Sequence, residues 1–409
     1  MRTHEFLLRA IAREEMVGWY HRTRARTRLL FEIPLDEVWH ERPIPLRNPI
    51  VFYAGHLPAF AVNTLVKFAR GGRGINAHFE SLFERGIDPE DETAVRDPSE
   101  MWPARDEVRA YGDEADRLVE RALLDLDDAE PLQVEAASTI IEHELMHQET
   151  LLYMFHNLPY SKKRKLTAHG SQLTGDDAAS REPSSVRIPA GITTLGADGT
   201  SFGWDNEFPR HEVRVPAFEI DRLSVANGDY LTYLEATGAK APHFWTEIGG
   251  QWFWRGMFEW IPLPLEWPVW VTHEEATAYA RWRGGRLPTE AEYAHAAVGS
   301  QGGNFDFGSW DPDPAGSHPD AVSDWGVYDL IGNGWEWTST VFEGFNGFRP
   351  MATYPRYSVD FFDGQHYVMK GASPATAREL IRPSFRNWFR GNYPYVWAKF
   401  RCVRDRSGT

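Results

Sequence analysis

The sequence predicts a two-domain protein, an all-α four-helix bundle followed by an α+β domain rich in irregular loops. Three observations lead to this reading. The 409 residues exceed what one hydrophobic core usually organises. The first third carries apolar positions at helical spacing, with Pro and Gly mainly in the gaps. Beyond about residue 186 helical periodicity is rare, and short apolar runs alternate with Gly, Pro, Asn and Asp. Most of the 17 tryptophans also lie there, where they bury large areas and line pockets.

Taken in order, a first helix is expected from about residue 4 to 32. A second follows Pro58, from Ala59 to Arg70, a third spans about 105–126, and a fourth about 132–156. The bundle is placed at 1–160, a linker at 161–185 and the second domain at 186–409. The basic run Ser161-Lys162-Lys163-Arg164-Lys165 opens that linker and reads as a solvated connection rather than a nucleic-acid or nuclear-import signal. In the second domain one helix is expected from His273 to Arg283 and another after Pro288.

Composition narrows the function classes. The 43 Lys and Arg against 59 Asp and Glu give a net charge of −16, which repels phosphate backbones and argues against a nucleic-acid partner. No stretch approaches the ~20 apolar residues a spanning helix needs. The opening Met1-Arg2-Thr3-His4-Glu5 lacks a secretory layout, so a cytoplasmic enzyme is expected. The single cysteine, Cys402, excludes an internal disulfide and any mechanism that needs a thiol pair.

The sharpest local signal is His143-Glu144-Leu145-Met146-His147-Gln148-Glu149 in the fourth helix. Two histidines at i and i+4 share a helical face and can share a metal. Read as HExxH, the run is a zinc-protease signature with Glu144 as general base. Read as HxxxHxE, it looks like a two-His, one-carboxylate triad. At about 100° per residue Glu149 falls on the far side from His147, so a third ligand must come from another helix. His56, expected at the start of the second helix, is the candidate. Three neutral imidazoles suit iron or zinc in a catalytic site. The metzincin extension is absent, because Thr150 and Tyr153 stand where Gly and His are required.

Longer matches run through the second domain. They include Arg187-Ile188-Pro189-Ala190-Gly191, Asn206-Glu207-Phe208-Pro209-Arg210, Gly285-Arg286-Leu287-Pro288-Thr289-Glu290-Ala291-Glu292-Tyr293, Gly332-Asn333-Gly334-Trp335-Glu336-Trp337 and Phe400-Arg401-Cys402-Val403. On these motifs residues 186–405 resemble the formylglycine-generating-enzyme-like (C-type-lectin-like) fold, and residues 4–158 resemble the DinB-like bundle. The sulfatase-activating chemistry of the former fold needs two cysteines and is excluded. Together the two domains resemble the hercynine oxygenases, the non-haem iron sulfoxide synthases of ergothioneine biosynthesis.

That resemblance implies Fe(II) held by His56, His143 and His147, between the bundle and the second domain. It implies small-molecule substrates, namely hercynine, a thiol and O2, with no nucleic acid and no membrane. It implies Tyr354 as proton donor and Tyr357 as a substrate hydrogen-bonding partner. Asn387, Trp388 and Phe389 would contact the betaine, and Arg70, Arg73 and Arg85 would clamp the thiol's carboxylate. Two positions depart from the family pattern: Phe389 stands where many members have Asp, and Met146 where many have Gln. The first favours cysteine over γ-glutamylcysteine as donor. The competing readings are a selenoneine-type synthase using a selenosugar, a non-catalytic binding module, and an HExxH zinc hydrolase.

Overall fold

A computed structural model describes residues 13–84, 102–166 and 184–405 of the chain. They fall into two compact units. One comprises Met1–Leu166 together with Gly199–Phe202 and Met351–Pro355; the other comprises Thr167–Asp198, Gly203–Pro350 and Arg356–Thr409.

The first unit is helical. Helix α1 (Arg13–Leu30) places Glu14 and Glu15 in its first turn and Arg28 in its last, complementing the helix dipole. Helix α2 (Ile50–Ala61) continues as a π-helix over Val62–Ala69. It starts well before the expected Ala59, because Pro58 lies inside it rather than ahead of it. An interior proline costs about 3 kcal/mol. Here nearly every residue of α2 is buried, and that apolar burial outweighs the lost hydrogen bond. His56 therefore sits in the middle of a helix, not at its start.

A short helix, α3 (Ala77–Leu82), was not expected; Asn76 caps it by accepting from the amides of His78 and Phe79 at 3.1 Å. Helices α4 (Arg105–Leu124) and α5 (Pro131–His156) lie close to the expected spans. Pro131 occupies the first turn of α5, where its missing N–H is harmless. The part of the expected first helix before residue 13 lies outside the described residues.

The basic run is stitched to this unit. Lys162 donates to Glu41 at 2.6 Å, Lys163 to the His156 carbonyl at 3.1 Å, and Arg164 to Glu32 at 3.2 Å. The Arg164 amide also donates to the Ile33 carbonyl at 2.7 Å. Residues 167–183 of the expected linker lie outside the described residues.

The second unit is a mixed assembly of short strands. Strands β1 (Ser185–Ile188), β4 (Phe218–Asp221) and β12 (Val403–Asp405) form one antiparallel sheet. Strands β2 (Gly191–Leu195) and β3 (His211–Val215) form a hairpin, and β5 (Trp245–Ile248), β6 (Gln251–Arg255) and β7 (Trp260–Pro262) form a meander. The longest strands, β8 (Gly334–Val341) and β9 (His366–Ala372), are flanked by β11 (Ala398–Lys399) and β10 (Asn387–Arg390).

Helices α7 (His273–Trp282) and α8 (Glu290–Ala296) match expectation, and each opens on a Thr-Glu capping box, Thr272 with Glu275 and Thr289 with Glu292. Helix α6 (Asn227–Thr237) was not expected. The core gathers Ile188, Phe218, Ile220, Tyr293, Leu330 and Val403. Buried ions are paired or bonded to carbonyls: Arg401 with Glu336, and Lys399 with the Asp329, Gly332 and Gly334 carbonyls at 2.8–2.9 Å. Burial pushes the Cys402 thiol up to about 12, as suits an inert structural cysteine. No described helix is long and apolar enough to cross a membrane.

Candidate metal centre

Helices α2 and α5 bring three histidines together in the first unit. His143 and His147 share one face of α5 by their four-residue spacing, with ring centroids 4.5 Å apart. His56 of α2 lies 5.1 Å from each, centroid to centroid. One ligand atom from each ring falls within 4.8 Å of the others. Among the described residues this is the cluster with metal-ligand geometry, and Glu149 is not part of it.

The rings are held in place. His56 Nδ1 donates to the Phe83 carbonyl at 2.8 Å, which leaves Nε2 as its ligand atom. That contact depends on Gly55: a Cβ there would lie 2.4 Å from the Phe83 ring. Phe52 stacks on His56 at 5.1 Å and 15°, and Phe60 stacks on His143 at 3.6 Å and 14°. Phe52, His56 and Phe60 recur every four residues, so one face of α2 supplies a ligand and an aromatic wall on each side of it.

Electrostatics favour metal binding. Burial pushes the His147 imidazole well below its usual range, and nearby His56 and Arg47 push it further. The ring is neutral at pH 7, with the lone pair of one ring nitrogen available. His147 Nδ1 is buried and has no hydrogen-bond partner among the described residues, as a ligand atom would be left without its ion. An all-nitrogen set of three imidazoles fits a catalytic divalent iron or zinc.

Glu144, the base an HExxH hydrolase would need, is engaged elsewhere. It accepts from Arg24 Nη1 at 2.8 Å, and Arg24 Nε also donates to Asp116 at 2.8 Å. The buried carboxylate thus belongs to an ion pair with α1.

Tyr354 belongs to the same unit. Its ring lies 5.3 Å from Phe60 and 6.1 Å from His143, centroid to centroid. The preceding residue, Thr353, is fixed to α5: its amide and hydroxyl donate to Glu135 Oε1 at 3.0 and 2.8 Å. Thr139 and Thr353 hydroxyls are 3.1 Å apart.

In the second unit Tyr357 and Trp388 meet edge to face at 5.1 Å. Trp204 stacks on Tyr357 at 4.0 Å, and Phe342 stacks on Trp388 at 4.1 Å. Asn387 accepts from the Trp388 amide at 2.8 Å, and Phe389 stacks on Tyr393 at 5.0 Å. Alternation along β10 turns Trp388 to one face and Asn387 and Phe389 to the other, so these three do not line one surface. Arg70 donates to the Asp125 carbonyl at 2.6 Å and to Gln133 at 2.9 Å, tying the end of the α2 segment to the α4–α5 turn. Arg73 is exposed, and Arg85 lies outside the described residues.

Sequence reasoning missed Phe60, Phe83, Glu135, Thr139 and Trp204. Glu135 and Thr139 precede His143 by eight and four residues, and Phe60 follows His56 by four. That spacing was a usable signal for those three.

Both parts of the chain have counterparts among known proteins. Residues 170–406 match the Sulfatase-modifying factor enzyme 1-like domain, and residues 20–151 match the DinB superfamily. The chain is 31% identical to ergothioneine biosynthesis protein 1 of Schizosaccharomyces pombe, over 88% of this chain and 52% of that protein. It is 31% identical to hercynine oxygenase of Mycolicibacterium smegmatis, over 92% of this chain and 96% of that protein. It spans about half the length of the Schizosaccharomyces pombe and Neurospora crassa relatives it matches. Among solved structures, PvdO from Pseudomonas aeruginosa covers 59% of the chain at 23% identity, with a TM-score of 0.42.

Proposed function

The chain belongs to the hercynine oxygenase family of ergothioneine biosynthesis, and from that premise we propose that it is a cytoplasmic, Fe(II)- and O2-dependent sulfoxide synthase. It joins a thiol to C2 of the hercynine imidazole, with cysteine favoured over γ-glutamylcysteine because Phe389 replaces an acidic residue. The balance is one thiol, one imidazole and one O2 in, and one sulfoxide and one water out. The thiol S–H and the imidazole C2–H are lost; one oxygen atom ends on sulfur and the other in water.

The observation that carries the reading is the largely buried three-histidine cluster with a phenol beside it. Iron held by His56, His143 and His147 would supply the redox chemistry and bring the substrates together. The chain's own residues do the rest. The Phe83 carbonyl orients His56. Tyr354 holds a proton on Oη beside His143, from where it steers the outcome toward C–S bond formation rather than oxidation of the thiol alone. Trp388 offers an aromatic face to the trimethylammonium group, which cannot donate hydrogen bonds, while Tyr357, packed against it, supplies a polar contact to the substrate. Arg73 and Arg85 are the carboxylate clamps in this reading, Arg70 being engaged with Asp125 and Gln133.

Anaerobic titration with Fe(II) is the first test. One equivalent should bind the wild type and none His147→Ala. Incubation of the iron-loaded chain with hercynine, O2 and either thiol should then give a product of sulfoxide mass. Failure of the wild type to take up iron, or absence of any sulfoxide with cysteine and with γ-glutamylcysteine, overturns the proposal.

A further inference from the structure

Residues Glu135, Thr139, His143 and His147 recur every four positions along α5 and form one stripe on that helix. The lower half of the stripe holds a segment that is 214 residues away in sequence. Glu135 Oε1 accepts both the amide and the hydroxyl of Thr353, at 3.0 and 2.8 Å. The Thr353 proton is directed to that carboxylate, while the Thr139 hydroxyl donates to the Glu135 carbonyl at 2.8 Å and lies 3.1 Å from the Thr353 hydroxyl, packing against it. Thr139 and Thr353 are both buried, so these bonds are shielded from water. Hydrogen bonds to a charged acceptor are the strong ones, and this carboxylate takes two from one residue.

The next residue is Tyr354, and Pro355 follows it. A residue before proline is confined to extended backbone, so Tyr354 has little freedom on its C-terminal side. On its N-terminal side Thr353 is anchored. The ring then rests on Phe60, which itself stacks on His143.

We propose that Glu135 and Thr139 are positioning residues that fix the Tyr354 phenol relative to the metal ligands of the same helix. The inference rests on the proposed sulfoxide synthase activity and deepens it. One helix, α5, thus carries two of the candidate ligands and the anchor of the segment that holds the proton donor. Neither residue touches substrate; each acts through Thr353.

The test uses the full chain with Glu135→Ala, Glu135→Gln and Thr139→Val. Hydrogen exchange of the Thr353 amide is read first and needs no turnover. Glu135→Ala should speed it at least tenfold, while Glu135→Gln, which keeps an acceptor, should stay within about threefold of the wild type. In the iron-loaded protein with hercynine, thiol and O2, Glu135→Ala should move the products at least fivefold from sulfoxide toward the thiol's sulfinic acid. Thr139→Val should shift them in the same direction by less. Iron stoichiometry and the KM for hercynine should not change, and Glu135→Gln should restore most of the sulfoxide. Unchanged exchange at Thr353 overturns the clamp, and faster exchange with unaltered partition overturns its role in positioning. A wild type that binds iron but makes no sulfoxide overturns the activity itself, an outcome separate from the exchange result.

Discussion

The Phe60 ring lies 3.6 Å from the His143 ring, centroid to centroid, and 14° from parallel. The same phenylalanine touches Tyr354 at 5.3 Å. Phe60 thus packs against both the candidate proton donor and a candidate metal ligand, and it has no polar atom with which to compete for either.

Phe60→Ala should therefore loosen both neighbours. Aromatic pairs of this kind contribute about 0.5–1.5 kcal/mol beyond simple burial. Iron affinity should weaken by roughly two- to tenfold, as read by anaerobic titration. Phe60→Leu, which keeps most of the volume, should recover the fold but not the full affinity.

Gly55→Ala should perturb the centre from behind. The added methyl would sit 2.4 Å from the Phe83 ring, closer than packed atoms tolerate. Overpacking of this sort costs about 1–3 kcal/mol, measurable as a lower denaturation midpoint. The Phe83 carbonyl that orients His56 must move with its ring, so metal affinity should fall as well. A variant with wild-type stability and wild-type affinity would show that Phe83 can yield freely.

Acid sensitivity should arise in the second unit at Glu207. Burial pushes its carboxyl up, but two bonds from Arg382 at 2.6 and 2.9 Å, one from Ser384 at 2.6 Å and one from the Trp204 amide at 2.8 Å outweigh burial. The carboxyl is held below its ordinary range. A group lowered on folding contributes stability above its unfolded value of about 4.3, and that contribution is lost as pH falls through the folded value. Glu207→Gln should cost about 3 kcal/mol at pH 7, and the gap to the wild type should close as pH falls below about 4. Denaturant unfolding across pH 3–7 checks the sign; a gap that widened in acid would contradict it.

Tyr354→Phe removes one hydroxyl and little volume. Folding, iron uptake and O2 consumption should persist, while the products shift from sulfoxide to sulfinic acid. A relative barrier change of about 1.4 kcal/mol gives a tenfold shift in their ratio. If both products fell together, the phenol would serve only to place substrate, and Tyr53, whose ring lies 5.7 Å from His147, would become the donor to test.

Much of the centre was legible because it is written in helical periods. The i, i+4 spacing of His143 and His147 announced itself, and the need for a third ligand from another helix followed from the angle of Glu149. The start of α2 was misread because Pro58 is a breaker by local chemistry, whereas its tolerance depends on burial that only the folded unit supplies. The strands of the second unit escaped because most run five residues or fewer, too short for an alternating pattern to stand out. The opposed orientation of Trp388 and Phe389 follows from such a strand. The attachment of Thr353 to Glu135 was beyond reach for another reason: 218 residues separate them, and nothing local in either segment names the other.

That separation also sets an order of events at the ribosome. Chains grow at about 5–20 residues per second, so His147 is made roughly 10–40 s before Tyr354. During that interval the nascent bundle has all three imidazoles but not Tyr354. In the proposed reading, iron acquired so early would be bound before Tyr354 is present to act on the outcome. Late metallation, after residues 351–355 have docked, is the safer sequence for a cell that must keep its thiols from being oxidised.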